Sequence, residues 1–247
     1  MLGLPDRVRA CLFDLDGVLT PTAAVHAAAW KQVLDAFLSR LGERTGVGYA
    51  PFDLTADYDT YVDGKPRADG ARSFLRSRGV ELAEGTPADP ADAETVSGLG
   101  RRKDQVFREM IARSGVQPYP GSVRYLSAVR AAGLRRAVVS SSTHCVEILA
   151  AAGLGGQFDA VVDGRLAQRR HLAGKPAPDT YLAAARELGI PAADAAVFED
   201  ALAGVAAGRA GNFGCVIGVD RAGQAEALRG QGADIVVGDL AELLVRP

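Results

Sequence analysis

The sequence predicts an α/β fold, a doubly wound parallel sheet interrupted after its first strand by a mostly helical insertion. Three observations predict it. The apolar run from Val8 to Phe13, broken only by Arg9, reads as a short buried strand and ends in Asp14, Asp16 and Gly17. Residues 21–115 carry helical periodicity and loops with little strand signal. From Pro118 onward strand and helix patterns alternate, which implies right-handed βαβ units on one parallel sheet. The expected organisation is a Rossmann-like catalytic core from residues 1–20 and 116–247, with residues 21–115 as an inserted cap.

Taken in order, Ala23 to Leu41 places Val25, Trp30, Val33, Leu34, Phe37, Leu38 and Leu41 at helical spacing. Gly42 to Gly70 is rich in Gly, Pro, Asp and Tyr and reads as mostly loop. Ala71 to Arg78 and Arg101 to Ser114 read as helices, and the Ala, Pro, Asp and Gly of Glu84 to Gly100 as a mobile connection between them. Pro118-Tyr119-Pro120-Gly121 marks a boundary. A helix over Ser122 to Ala132 and a strand over Arg135 to Ser141 follow, then a helix over Cys145 to Ala152 stopped by Gly153. Phe158 to Val162 is the next strand, and Asp179 to Leu188 a helix ended by Gly189. A strand over Ala195 to Phe198 leads into a helix over Leu202 to Ala210 ended by Gly211. Gly214 to Val219 and Ile235 to Val237 complete the strands, each followed by a helix.

Composition narrows the function. Apolar residues make up 48% and charged residues 23% of the 247 residues, as in a soluble globular chain large enough for one sizeable core or two unequal ones. A net charge of −2 supplies no basic field, which argues against a nucleic-acid partner. No apolar run approaches membrane-spanning length, and Met1 to Arg9 lacks the apolar stretch of a signal peptide. Cys11, Cys145 and Cys215 are far apart, without metal spacing, and read as reduced thiols of a cytoplasmic protein. The expected assembly is a monomer.

The chemistry gathers at strand ends. If strand geometry persists to Asp16, the side chains of Asp14 and Asp16 leave the same side of the backbone. Two such charges repel unless a cation joins them, and Mg²⁺ prefers oxygen ligands. The alternative is a strand end whose solvated acids cap the next helix. Further strand ends and loops carry Ser140, Ser141 and Ser142, then Gly174-Lys175-Pro176, then Glu199-Asp200. Singly, a serine run is an ordinary helix cap and a lysine an ordinary surface group. Together, at the carboxyl edge of one sheet, they supply acids for a metal and a hydroxyl and an ammonium for an anion, the groups that phosphoryl transfer requires. Asp14, Asp16, Ser140, Lys175, Glu199 and Asp200 are expected to converge in one cleft, with Pro176 and Pro178 stiffening the loop that presents Lys175.

These four segments, in this order, resemble the four motifs of the haloacid dehalogenase superfamily, and the resemblance covers nearly the whole chain. Helical sequence after the first motif is similar to the subgroup with a helical cap. Within it the pattern most resembles the β-phosphoglucomutase family, with Thr20, Thr22, His26 and Trp30 after the first motif and Gly64-Lys65-Pro66-Arg67, Asp69 and Arg102-Lys103-Asp104 in the cap. The resemblance implies Asp14 as nucleophile and Asp16 as general acid/base. It implies a Mg²⁺ cofactor held by the Asp14 carboxylate, the Asp16 carbonyl and Asp200, with Glu199 nearby. Ser140 and Lys175 would bind the transferring phosphoryl group. His26, Trp30, Arg67, Lys103 and Ser142 would bind a small phosphorylated sugar, Arg67 at a distal phosphate. His26 as a packed helix histidine and Arg67 as a solvated loop arginine are the plainer readings of those two residues. Two departures from the pattern stand out: Pro21 replaces a frequent Asp, and Thr143-His144 replaces Lys-Asn. The implied activity is interconversion of β-glucose 1-phosphate and glucose 6-phosphate through the 1,6-bisphosphate. Hydrolysis of a small phosphomonoester by the same aspartyl-phosphate chemistry is the alternative. A catalytically idle binding domain is the third reading, and the intact Asp14, Asp16, Lys175 and Asp200 argue against it.

Overall fold

The computed structural model describes residues 1–245. The chain divides into two compact units, one formed by Met1–Pro21 with the residues from Val116 on, the other by Thr22–Gly115.

The first unit is built on six parallel strands, β1 (Ala10–Phe13), β2 (Arg135–Val139), β3 (Ala160–Val162), β4 (Ala195–Glu199), β5 (Cys215–Val219) and β6 (Ile235–Val237), in the order β3-β2-β1-β4-β5-β6. The central strands β1, β4 and β5 are mostly apolar and buried at every position, and β2 is buried from Ala137 on, as a parallel sheet covered by helices requires. The order reverses where β4 lies beside β1, and at such a switch point the connections leave on opposite faces and open a crevice past the carboxyl ends. Phe13 is in register with Phe198, and their rings stack at 4.5 Å, which fixes the ends of β1 and β4 side by side. Helices of this unit are α4 (Pro120–Ala131), α5 (Cys145–Ala151), α6 (Gly164–Arg169), α7 (Asp179–Leu188), α8 (Leu202–Ala210) and α9 (Ala225–Gly230). Beyond β6 the chain takes a 3₁₀ turn over Leu240–Val245 where the sequence suggested a helix.

The second unit is helical: α1 (Thr22–Thr45), α2 (Arg67–Ser77) and α3 (Val96–Ser114), with a π-helical turn over Tyr58–Val62. Its core packs Trp30, Phe37, Phe52, Phe74 and Leu99. Two segments expected to be loop are partly helical here. Arg67 opens α2 instead of lying in a loop, and α3 starts five residues before Arg101. The segment ahead of α1's partners is also tied down: Asp35 accepts from Phe52 N at 2.7 Å, Lys31 donates to Phe52 O at 2.7 Å, and Asp57 pairs with Arg78. Among the described residues no helix is long and apolar enough to cross a membrane.

Candidate active site

β1 stops at Phe13, so Asp16 is placed by a turn and not by strand alternation. The backbone closes on itself there: Gly17 N donates to Thr20 O at 2.7 Å, and Leu19 N and Thr20 N both donate to Leu15 O. Gly17 has φ +93°, and a Cβ at this position would fall 1.6 Å from Asp200 Oδ2. Only a glycine lets the turn run this way while Asp200 leans against it.

Asp14 N donates to Phe198 O at 2.9 Å, which brings the first residue past β1 next to Glu199 at the end of β4. Lys175 Nζ donates to Asp14 Oδ1 and to Glu199 Oε1, both at 2.5 Å. All three side chains are buried. Glu199 is fixed on every side: its Oε1 also accepts from the Tyr181 hydroxyl at 2.8 Å and its Oε2 from Ala201 N at 3.1 Å. A Cβ at Gly204 would lie 1.8 Å from Glu199 Oε1, so α8 needs a glycine there to pass the carboxylate. Ser140 Oγ donates to Asp16 Oδ2 at 3.3 Å and accepts from Ser142 N at 3.1 Å. Ser142 Oγ accepts from His144 N at 3.1 Å.

The sequence-selected acids, Ser140 and Lys175 thus belong to one constellation. Asp14, Glu199 and Asp200 each offer an oxygen, and these atoms lie within 4.8 Å of one another. Burial, with Glu199 and Asp16 adding their charges, pushes the Asp14 carboxyl well above its ordinary range against the pull of Lys175. Burial alone would lower the Lys175 ammonium, but Asp14 and Glu199 outweigh it and hold the lysine charged. An acid and an ammonium both pushed upward mean that one lysine does not neutralise the buried carboxylates. A divalent cation with a preference for hard oxygen donors fits that donor set and that charge. Glu199, whose oxygens are engaged by Lys175, Tyr181 and Ala201, is better placed to orient Lys175 than to give an oxygen to the ion.

Four remaining selected residues lie in the helical unit. His26 and Lys103 meet through Nδ1 and Nζ, and His26 stacks on Phe107 at 4.0 Å. Lys103 Nζ sits 4.7 Å from the Phe107 ring and 5.6 Å from the Trp30 ring, an aromatic setting that favours a cation. Trp30 is buried in the helical core and serves as a wall for Lys103. Arg67 Nη2 donates to Asp104 Oδ1 at 2.5 Å, and its stem passes over Gly100, where a Cβ would stand 3.1 Å from Arg67 Cδ.

Sequence reasoning passed over Tyr181, Arg221 and Gln224. Gln224 Nε2 donates to Asp200 O at 3.1 Å and Arg221 Nε to Gly17 O at 2.9 Å. Tyr181 looks like one apolar position of α7, and Arg221 and Gln224 lie in an ordinary polar loop. Their partners are 18 to 204 residues away, and no local pattern reports such contacts.

A doubly wound sheet with carboxylates, a lysine and a serine hydroxyl at its switch point defines an α/β enzyme of phosphoryl transfer. Residues 8–212 match the haloacid dehalogenase-like hydrolase family. A beta-phosphoglucomutase of Mycobacterium tuberculosis is 57% identical over 247 residues, covering 99% of this chain and 94% of the relative. A beta-phosphoglucomutase of Bacillus subtilis is 32% identical over 238 residues, covering 96% of this chain and 92% of the relative. The crystal structure of a beta-phosphoglucomutase from Clostridium difficile shares the fold, with a TM-score of 0.74 at 23% identity over 96% of this chain and 93% of that one. The chain belongs to the haloacid dehalogenase-like hydrolase family and is an enzyme, a phosphomutase or a phosphatase.

Proposed function

We propose that this enzyme is a Mg²⁺-dependent β-phosphoglucomutase that interconverts β-glucose 1-phosphate and glucose 6-phosphate through the 1,6-bisphosphate. The observation that carries the reading is the 57% identity with a beta-phosphoglucomutase along almost the full length of both chains. In this reading an Asp14 oxygen attacks phosphorus, and the bond between phosphorus and the sugar oxygen breaks to give an aspartyl phosphate. Asp16 gives a proton to the departing sugar oxygen in this step, and in the second half-reaction it takes the proton from the sugar hydroxyl that attacks phosphorus as the bond to Asp14 breaks. Lys175 and Ser140 donate to the oxygens of the transferring group, and Glu199 keeps the lysine charged and aimed. The Asp14 carboxylate, the Asp16 carbonyl and Asp200 would hold Mg²⁺, which would supply charge neutralisation for the phosphoryl oxygens. From the inserted unit Arg67 and Lys103, with His26 and Trp30 setting the lysine's surroundings, bind the part of the sugar phosphate that is not transferred. Ser142 assists at the core side. The buried free thiols suit a cytoplasmic enzyme.

Hydrolysis of a small sugar phosphate is the second reading, favoured by Thr143-His144 where Lys-Asn is expected. An assay coupled to glucose 6-phosphate formation separates the two. The substrate is β-glucose 1-phosphate with a trace of the 1,6-bisphosphate, run beside phosphate release. Isomerisation well above hydrolysis, lost entirely in Asp14→Asn with the fold intact, is the expected result. A wild type that only releases phosphate would replace the mutase with the phosphatase.

A further inference from the structure

The turn that carries Asp16 is held from outside along its whole length. Gly17 O accepts from Arg221 Nε at 2.9 Å, Val18 O from Ser122 Oγ at 2.7 Å, and Leu19 O from Tyr119 N at 2.9 Å. Arg221 makes two further contacts. Its guanidinium lies 3.8 Å from the centre of the Tyr119 ring, and its Nη1 donates to Gly238 O at 2.8 Å. One planar side chain therefore joins the Asp16 turn, the approach to α4 and the end of β6. The same loop, between β5 and α9, reaches the other acid-bearing turn. Gln224 Nε2 donates to Asp200 O at 3.1 Å, and the loop is closed by Gln224 N donating to Asp220 Oδ1 at 2.8 Å.

We infer that the loop Asp220–Gln224 is a brace for the proposed metal site, with Arg221 and Gln224 as positioning residues that fix the backbone on which Asp16 and Asp200 sit. The inference rests on the proposed cation site. Neither side chain supplies a ligand atom; each holds the main chain beside a ligand. The donor geometry explains the residue types. Bonding two carbonyls while stacking on an aromatic face needs the flat, forked guanidinium, which a lysine does not reproduce. Partners behind metal ligands of this kind commonly change metal affinity by about ten-fold or more when removed.

The test is a titration of the phosphate-free protein with Mn²⁺, read by the electron paramagnetic resonance of the free ion, with melting temperature measured in parallel. Relative to wild type, Arg221→Ala is expected to weaken Mn²⁺ binding about ten-fold, and Arg221→Lys to recover less than half of that loss on a logarithmic scale. Gln224→Ala removes a single side-chain hydrogen bond and is expected to keep the wild-type melting temperature and to weaken binding by a smaller factor. The metal-activation constant should move with the binding constant, while the KM for sugar phosphate at saturating metal stays put. Arg165→Ala, an exposed arginine paired with Glu147, is the control that leaves Mn²⁺ binding unchanged. Wild-type affinity in both Arg221→Ala and Gln224→Ala would overturn the brace and leave the metal site standing. A wild type that takes up no Mn²⁺ would overturn the metal site, and the brace with it.

Discussion

Asp14 is buried, is in contact with Lys175, and shares its surroundings with Glu199, Asp16 and Asp200. That crowding has a consequence for pH. Without a cation, burial holds the Asp14 carboxyl above its value in the unfolded chain, so the fold prefers it protonated. Its contribution to stability is full below the ordinary carboxylate range and is lost as pH rises through the raised folded value. Lys175 is also raised, stays charged well past neutrality, and adds no slope of its own in this window. A divalent cation needs the carboxylate and expels its proton, so metal binding strengthens as pH rises. The gain in melting temperature from added Mg²⁺ is therefore expected to grow between about pH 5 and pH 8 in wild type. In Asp14→Asn, which has no proton to lose there, the gain should be small and flat. Melting curves with and without Mg²⁺ across that range decide the matter, and a wild-type gain that shrinks as pH rises would remove Asp14 from the metal site.

Elements position these residues through close approaches that only small residues permit. Gly17→Ala is expected to combine the strain of φ +93° with a collision against Asp200, whereas Gly189→Ala, at φ +68° past α7, meets nothing within 4 Å. Both should cost about 1 to 3 kcal/mol of stability, but only Gly17→Ala should weaken Mg²⁺ binding. Equal metal affinity in the two variants would show that Asp200 does not need the turn. The same logic explains what the sequence concealed. Strands with continuous apolar runs and helices with glycine stops were legible, and so were the acids, serine and lysine at strand ends, because each signal is local. The start of α3 was not. Gly98 and Gly100 within it suggest a linker, yet a Cβ at Gly98 would stand 2.2 Å from Ala93 O and one at Gly100 would press on Arg67. These glycines are there for packing, and a propensity reading takes them for flexibility. Thr95 caps this helix by accepting from Gly98 N at 3.0 Å, without the Glu three residues on that makes such a cap visible in a sequence. Likewise Gly64, Lys65 and Pro66 look like loop because they are, but Pro66 is the residue before a helix that Arg67 begins.

At the scale of the molecule, one unit carries the groups to which the proposed function gives the making and breaking of the phosphoryl bond, and the other carries Arg67, Lys103 and His26. A phosphatase needs only the first set, since water brings no phosphate of its own. A mutase must also hold a bisphosphate while its two ends exchange, and excluding water during that interval keeps the aspartyl phosphate from hydrolysis. Arg67 is the residue best suited to separate the two demands. Its guanidinium is fixed by Asp104, and Asp104 also pairs with Arg108 at 3.3 Å, so removing Arg67 leaves that carboxylate with a cation and the helical unit with its core. The ion pair itself is partly exposed, and its loss should cost the fold about 1 kcal/mol or less. Loss of a charge-assisted phosphate contact is expected to lower isomerisation by one to three decades, equivalent to about 1.4 to 4 kcal/mol. Hydrolysis of the phosphoenzyme, in which water brings no distal phosphate, should be nearly unchanged. Side-by-side rates of isomerisation and phosphate release for wild type and Arg67→Ala give the ratio directly. A ratio that falls steeply with melting temperature preserved assigns the distal phosphate to the inserted unit. Equal loss of both activities would instead make Arg67 a structural residue and return the sugar's second phosphate to the core.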